Sequence, residues 1–205
     1  MITQKWFSSK SLNQIILINI SVYVLGFLMS LLINGFDKVF IYLFSIHSNL
    51  AFDYRLPSVF ITHGFVHADF SHIFSNMLFF MLYYPLFSKI SNTNIWKIYL
   101  WTVFICGIVW LLYLNLFGYT NSLLLGASGG IMALVSYSST KWGDVVSLDL
   151  GYVKIRFKHL LSVQIVLSII NFVDGNNIGG ELSHLTGVIV GYCFAKILTN
   201  KKSED

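Results

Sequence analysis

Six stretches of the chain are almost wholly apolar, at about 15–33, 65–87, 96–117, 123–137, 160–173 and 182–198. A membrane-crossing helix needs about 20 such residues, fewer where neighbours enclose it, so the pattern predicts six transmembrane helices. Lys5 and Lys10 precede the first stretch in the manner of a secretion signal. Its apolar run is longer than a signal's, and no small-residue cleavage site follows, so it reads as a retained helix. The fourth stretch carries Gly126, Ala127, Ser128, Gly129, Gly130 and Ala133. Residues that small and polar suit close helix packing rather than lipid, which predicts a central helix. Between the first two stretches, residues 35–62 are apolar at 39–44 and 50–52 but broken by Asp37, Lys38, Asp53, Arg55 and Pro57. That mixture predicts a segment lying in the external membrane interface. No internal repeat or domain boundary is visible, so residues 1–205 read as a single membrane domain.

Composition strengthens this reading. Of 205 residues, 56% are hydrophobic and 11% charged, against roughly a quarter charged in soluble chains. A soluble multi-domain enzyme and a disordered chain are both excluded. The formal charge of +4 could suggest nucleic acid, but its placement follows topology. Lys5, Lys10, Lys89, Lys97, Lys141, Lys154, Arg156, Lys158, Lys196, Lys201 and Lys202 fall on one side of the six spans, with only Lys38 and Arg55 on the other. Basic loops stay inside, so both termini are expected in the cytoplasm and no nucleic-acid partner is implied. Cys106 and Cys193 lie in apolar runs and read as buried packing residues rather than a disulfide.

With the N-terminus inside, the even-numbered spans start at the external face. His67, His72 and Asn76 occupy the opening turns of the second span, Ser128 opens the fourth and His184 the sixth. Polar residues within a membrane are costly and usually functional, and these share one depth. Alone, a serine among small residues is a packing contact. With a histidine at its level it can be a nucleophile whose proton the imidazole takes. Gly187 and Gly191, on the face of His184, would let the sixth span approach the fourth closely enough for an imidazole–hydroxyl hydrogen bond. His72 and Asn76, four apart, can donate to an oxyanion or serve as interhelical polar glue. His63 and His67 are also four apart, but no acidic residue joins them in a metal-binding arrangement, so interface hydrogen bonding is expected. Glu181 lies one turn before His184 and would complete a Ser–His–acid triad. At the outer membrane edge it is expected to be solvated and is left out. Asp144, in a basic loop and without a second intramembrane aspartate, argues against an aspartyl protease.

These residues resemble the rhomboid intramembrane serine proteases. The stretch from His63 through His67 and His72 to Asn76 is similar to the family's second-helix signature, Gly126-Ala-Ser128-Gly129 to its GxSG, and His184-Leu-Thr-Gly187-Val-Ile-Val-Gly191 to its HxxGxxxG. The resemblance covers nearly the whole chain. It implies an all-α bundle of six transmembrane helices with a catalytic Ser128–His184 dyad and no catalytic acid. It further implies oxyanion stabilisation by His72 and Asn76, a supporting role for His67, Gly129, Gly187 and Gly191, and a loop kept open by Gly126. Single-span membrane proteins in the lipid bilayer would be the substrates, with no metal or organic cofactor, and a bacterial plasma membrane is the expected location. Two positions depart from the family pattern. Ser58 and Val59 stand where many members carry Trp-Arg, and Met132 stands where a tyrosine often stacks on the catalytic histidine. A non-catalytic rhomboid-like protein that binds membrane clients is the rival reading, and the presence of both Ser128 and His184 separates the two. A small-solute transporter would need polar or broken helices at mid-membrane, where this chain is apolar.

Overall fold

The computed structural model describes residues 8–47, 58–118, 123–149, 152 and 154–200. In chain order the elements are α1 (Lys10–Leu32), α2 (Phe36–Phe44), β1 (Ile46–His47), α3 (Val59–Thr62), α4 (Phe70–Phe87) and α5 (Asn92–Phe117). There follow β2 (Leu123–Leu124), α6 (Ser128–Trp142), β3 (Val146–Asp149), β4 (Lys154–Arg156), α7 (Phe157–Val173) and α8 (Ile178–Asn200). By length and composition α1, α5 and α8 could each cross a membrane, and α7 is a shorter apolar helix. Leu50, Asp53, Arg55 and Pro57 of the connection after α1 lie outside the described residues, as do Lys5, Lys201 and Lys202.

Helix starts differ from the apolar pattern because capping chemistry sets them. Ser9 accepts from the Leu12 amide, so α1 begins at Lys10 rather than near residue 15. Asp69, in extended conformation, accepts from the His72 amide at 2.8 Å and starts α4 at Phe70. His67 therefore precedes the helix instead of lying on its opening turn. Residues 123–124 are not helical either. They pair antiparallel with β1, Ile46 opposite Leu124 and His47 opposite Leu123, which delays the start of α6 to Ser128.

The helices are inside-out by the standards of a soluble protein. Leu17, Leu25, Leu28 and Leu31 of α1 are exposed while Ser11 and Asn19 are buried. On α7, Val163, Val166 and Ile170 are exposed and Ser168 is buried. Apolar faces of this extent suit lipid. Buried polar groups serve as ties between helices. Ser9 Oγ donates to Asn92 Oδ1 at 2.9 Å and Ser11 Oγ to the Asn92 carbonyl at 3.1 Å, joining the starts of α1 and α5.

Helix α6 is the centre of the bundle, as its small residues predict: every residue from Gly129 to Ser139 is buried. Its main partner is α8, which also packs on α5 and α7. A methyl group at Gly187 would strike the Gly129 carbonyl oxygen, and one at Gly191 would strike that of Ala133. Ala195 is buried one turn further on, so small residues at every fourth position line the seam, and at the two glycines the backbones touch. Ser136 Oγ donates across the seam to the Val188 carbonyl at 2.7 Å. Cys193 lies off this stripe and is exposed, contrary to the expectation of burial, whereas Cys106 is buried.

At the other end of α6, β3 and β4 form a hairpin. Asp144 meets Lys158 Nζ at 2.6 Å and Arg156 Nη1 at 2.9 Å. The Lys158 ammonium and then the Arg156 guanidinium hold its carboxyl below the ordinary carboxylate range. A lowered carboxyl contributes above its unfolded-state value and ceases to contribute as pH falls through its folded one. Hydrogen-exchange protection of the hairpin amides is thus expected to be level at neutral pH and to weaken in acid, and Asp144→Asn should remove that dependence. For the helix seam, Gly191→Val is expected to lower stability by about 1–3 kcal/mol, read from unfolding in mixed detergent. An unchanged midpoint would contradict the contact.

Candidate active site

Three helix starts converge on one polar cavity. It has a volume of about 580 Å³ and is lined by Asp69, His72, Ser75 and Asn76 from the start of α4, Ser128 from α6, and Gly180 and His184 from α8, among others. Ser128 is the first residue of α6, where backbone amides have no partner within the helix. A smaller adjoining cavity of about 230 Å³ is again lined by Ser128 and His184, with Ser75, Asn76 and Phe79 of α4, Ile131 and Met132 of α6, and Gln164 of α7. The structure thus brings together Ser128, His184, His72 and Asn76. No hydrogen bond joins Ser128 to His184, although the expected close approach of their helices is present.

The loop before Ser128 is held in place by backbone and histidine contacts. The Gly126 amide donates to the His63 carbonyl at 2.8 Å, and Gly126 has φ +108°, in the region that favours glycine. A methyl group there would lie 2.6 Å from His72 Nε2 and 3.6 Å from Asn76 Nδ2. Both side-chain donors therefore flank the strand of chain leading to Ser128. Asn76 Nδ2 donates to His67 Nε2 at 3.0 Å, and the Ala127 amide points to the same nitrogen at 3.5 Å. An amide group has two protons, so the bond to His67 uses one and leaves the other. His63 behaves as the interface residue expected, its Nε2–H donating to the Val103 carbonyl at 3.0 Å. Among the described residues no cluster of His, Cys, Asp or Glu has metal-binding geometry.

Around His184 the structure departs from the sequence reading. Glu181 is not solvated: it is 6% exposed. Helix α8 begins at Ile178, so Glu181 sits within its first turn, beneath α7. Its Oε2 lies 3.0 Å from His184 Nδ1, and its Oε1 accepts from Asn171 Nδ2 at 3.1 Å. Ser168 Oγ is 3.2 Å from the same imidazole nitrogen. Ser168 and Asn171, three apart on α7, share one face. That spacing and the i, i+3 offset of Glu181 from His184 are the signals through which the sequence could have disclosed this cluster. Met132, at the position where a tyrosine often stacks, is buried with its Cβ against the Gly187 site.

Gly126→Ala forces a left-handed backbone onto a side chain that also collides with His72. It is expected to cost about 1–3 kcal/mol and to shift the His72 side-chain ¹⁵N signals, as read by thermal unfolding and histidine-labelled NMR.

Among curated proteins none matches the chain. The family model described as Rhomboid domain matches residues 54–201, which takes in each of the site residues above and well over half of the sequence. This chain belongs to the rhomboid family, whose typical members are integral-membrane serine proteases acting on membrane proteins within the bilayer.

Proposed function

We propose that the protein is an intramembrane serine endopeptidase that cleaves single-span membrane proteins by a Ser128–His184 pair. In this reading α1, α4, α5, α6, α7 and α8 cross a bacterial plasma membrane, with both termini in the cytoplasm and the polar cavity near the outer face. The observation that carries it is the cavity itself, shared by Ser128, His184, His72 and Asn76 at the starts of three helices. The length of α6 gives further support. Its 15 residues span about 22 Å at 1.5 Å per residue, less than the roughly 30 Å of bilayer hydrocarbon. A central helix that short leaves room above Ser128 for water, which a hydrolase in lipid requires.

The substrate helix reaches the site laterally between α4 and α7, where the smaller cavity is walled by Phe79 on one side and Gln164 on the other. Locally unwound, it presents a peptide carbonyl to Ser128. The hydroxyl oxygen bonds to the carbonyl carbon as its proton passes to His184 Nε2. The resulting oxyanion accepts hydrogen bonds from His72, from the second proton of Asn76 and from the Ser128 amide. Collapse breaks the C–N bond, and His184 returns the proton to the leaving amine. Water then attacks the Ser128 ester, giving its proton to His184. When the ester C–O bond breaks, that proton returns to Ser128 and the carboxyl product departs.

Reconstitution in liposomes with a labelled single-span substrate tests this directly. Ser128→Ala and His184→Ala are each expected to lower the cleavage rate by on the order of 10³-fold or more, with folding unchanged. If wild type and both variants bound the substrate alike and none cleaved it, client binding would replace catalysis as the reading.

A further inference from the structure

We propose that Glu181 is a positioning residue for His184, so that the Ser128–His184 pair works with an acidic partner held on Nδ1. The proposal rests on the reading of Ser128 as nucleophile and His184 as base. An ionised carboxylate only accepts hydrogen bonds. With Glu181 ionised, the 3.0 Å contact from Oε2 makes Nδ1 the protonated imidazole nitrogen. Nε2 is then left with the lone pair that a general base needs. The carboxylate also offsets the positive charge that the imidazole takes up when the Ser128 proton arrives.

Glu181 is itself built into the structure. It is buried, its second oxygen is held by Asn171 of α7, and Ser168 from the same helix closes on Nδ1 from the side. Among the described residues, the carboxylate that lines the cavity itself, Asp69, is not available for this work. Asp69 is committed to Ser71 Oγ at 2.6 Å and to the His72 amide at 2.8 Å. The arrangement also accounts for Met132. A ring held from its edge by Glu181 and Ser168 does not depend on an aromatic face from α6 to fix its orientation.

The test compares wild type, Glu181→Gln and Glu181→Leu, with Ser128→Ala as reference. Gln keeps the shape and can still accept from Nδ1–H through its oxygen, but it lacks the charge. Leu removes both. Histidine-labelled ¹⁵N NMR of wild type should report the Nδ1–H tautomer at His184; this holds in Glu181→Gln and is lost in Glu181→Leu. Labelling of Ser128 by a fluorophosphonate probe, and substrate turnover, should fall in the order wild type, Gln, Leu. The Leu variant is expected to lose on the order of 10²-fold or more in kcat with KM little changed. Thermal unfolding of each variant separates this from lost stability, and if Glu181→Leu does not fold, Gln alone carries the comparison. Labelling that needs Ser128 and His184 but is equal in all folded Glu181 variants would overturn the role of Glu181 and leave the protease reading intact. An Nε2–H tautomer in wild type would overturn it as well. Turnover that survives Ser128→Ala would instead overturn the protease reading itself.

Discussion

The contact of the α6 and α8 backbones sets where every other part of the site can be. At Gly187 and Gly191 there is no space for even a methyl group against the Gly129 and Ala133 carbonyls. Two helices so close behave as one rigid body, and both begin at the polar cavity. Ser128 and His184 lie on the opening turns of that pair, so their relation is fixed by main chain rather than by flexible side-chain packing. Gly129 extends the same constraint upward, since a side chain there would collide with Ser183.

Around that pair, polar groups are placed where helices start. Helix starts carry unpaired amides, and here the capping turn of α4, the first residue of α6 and the first turns of α8 meet. The chain leading to Ser128 is pinned from below by the His63 carbonyl and from the side by His67. His63 is in turn fixed to α5 through Val103. Local backbone geometry, histidine hydrogen bonds and helix packing thus converge on the orientation of one hydroxyl.

Much of this was legible in the residues. Alternating apolar and polar stretches located the long helices, because hydrophobic length is a strong one-dimensional signal. The stripe Gly187–Gly191 identified the α8 face that meets α6, because small residues every fourth position have few other uses. What the pattern could not supply was cover from another helix. Glu181 reads as solvated from its place at the end of an apolar run. It is buried because Asn171, ten residues earlier, arrives over it when α7 folds back against α8. Cys193 shows the converse, an apolar neighbourhood in sequence that is outward-facing in space. The apolar run places His67 in a helix because hydropathy cannot see a cap: the Asp69 side chain, not the apolar run, decides where α4 begins.

Helix α7 is fastened at both ends. Near its start the Phe157 amide reaches the Val145 carbonyl at 3.2 Å and the Lys158 amide the Gly143 carbonyl at 3.1 Å. Toward its finish Ser168 and Asn171 hold His184 and Glu181. The finishing end borders the side on which the smaller cavity lies, so an outward displacement of it would take Ser168 from the imidazole and Asn171 from the carboxylate, while the Glu181–His184 contact lies within α8 and stays. Those two hydrogen bonds couple the position of α7 to the setting of the imidazole and the carboxylate, so a displacement at the end of one helix is felt in the polar side chains of its neighbour.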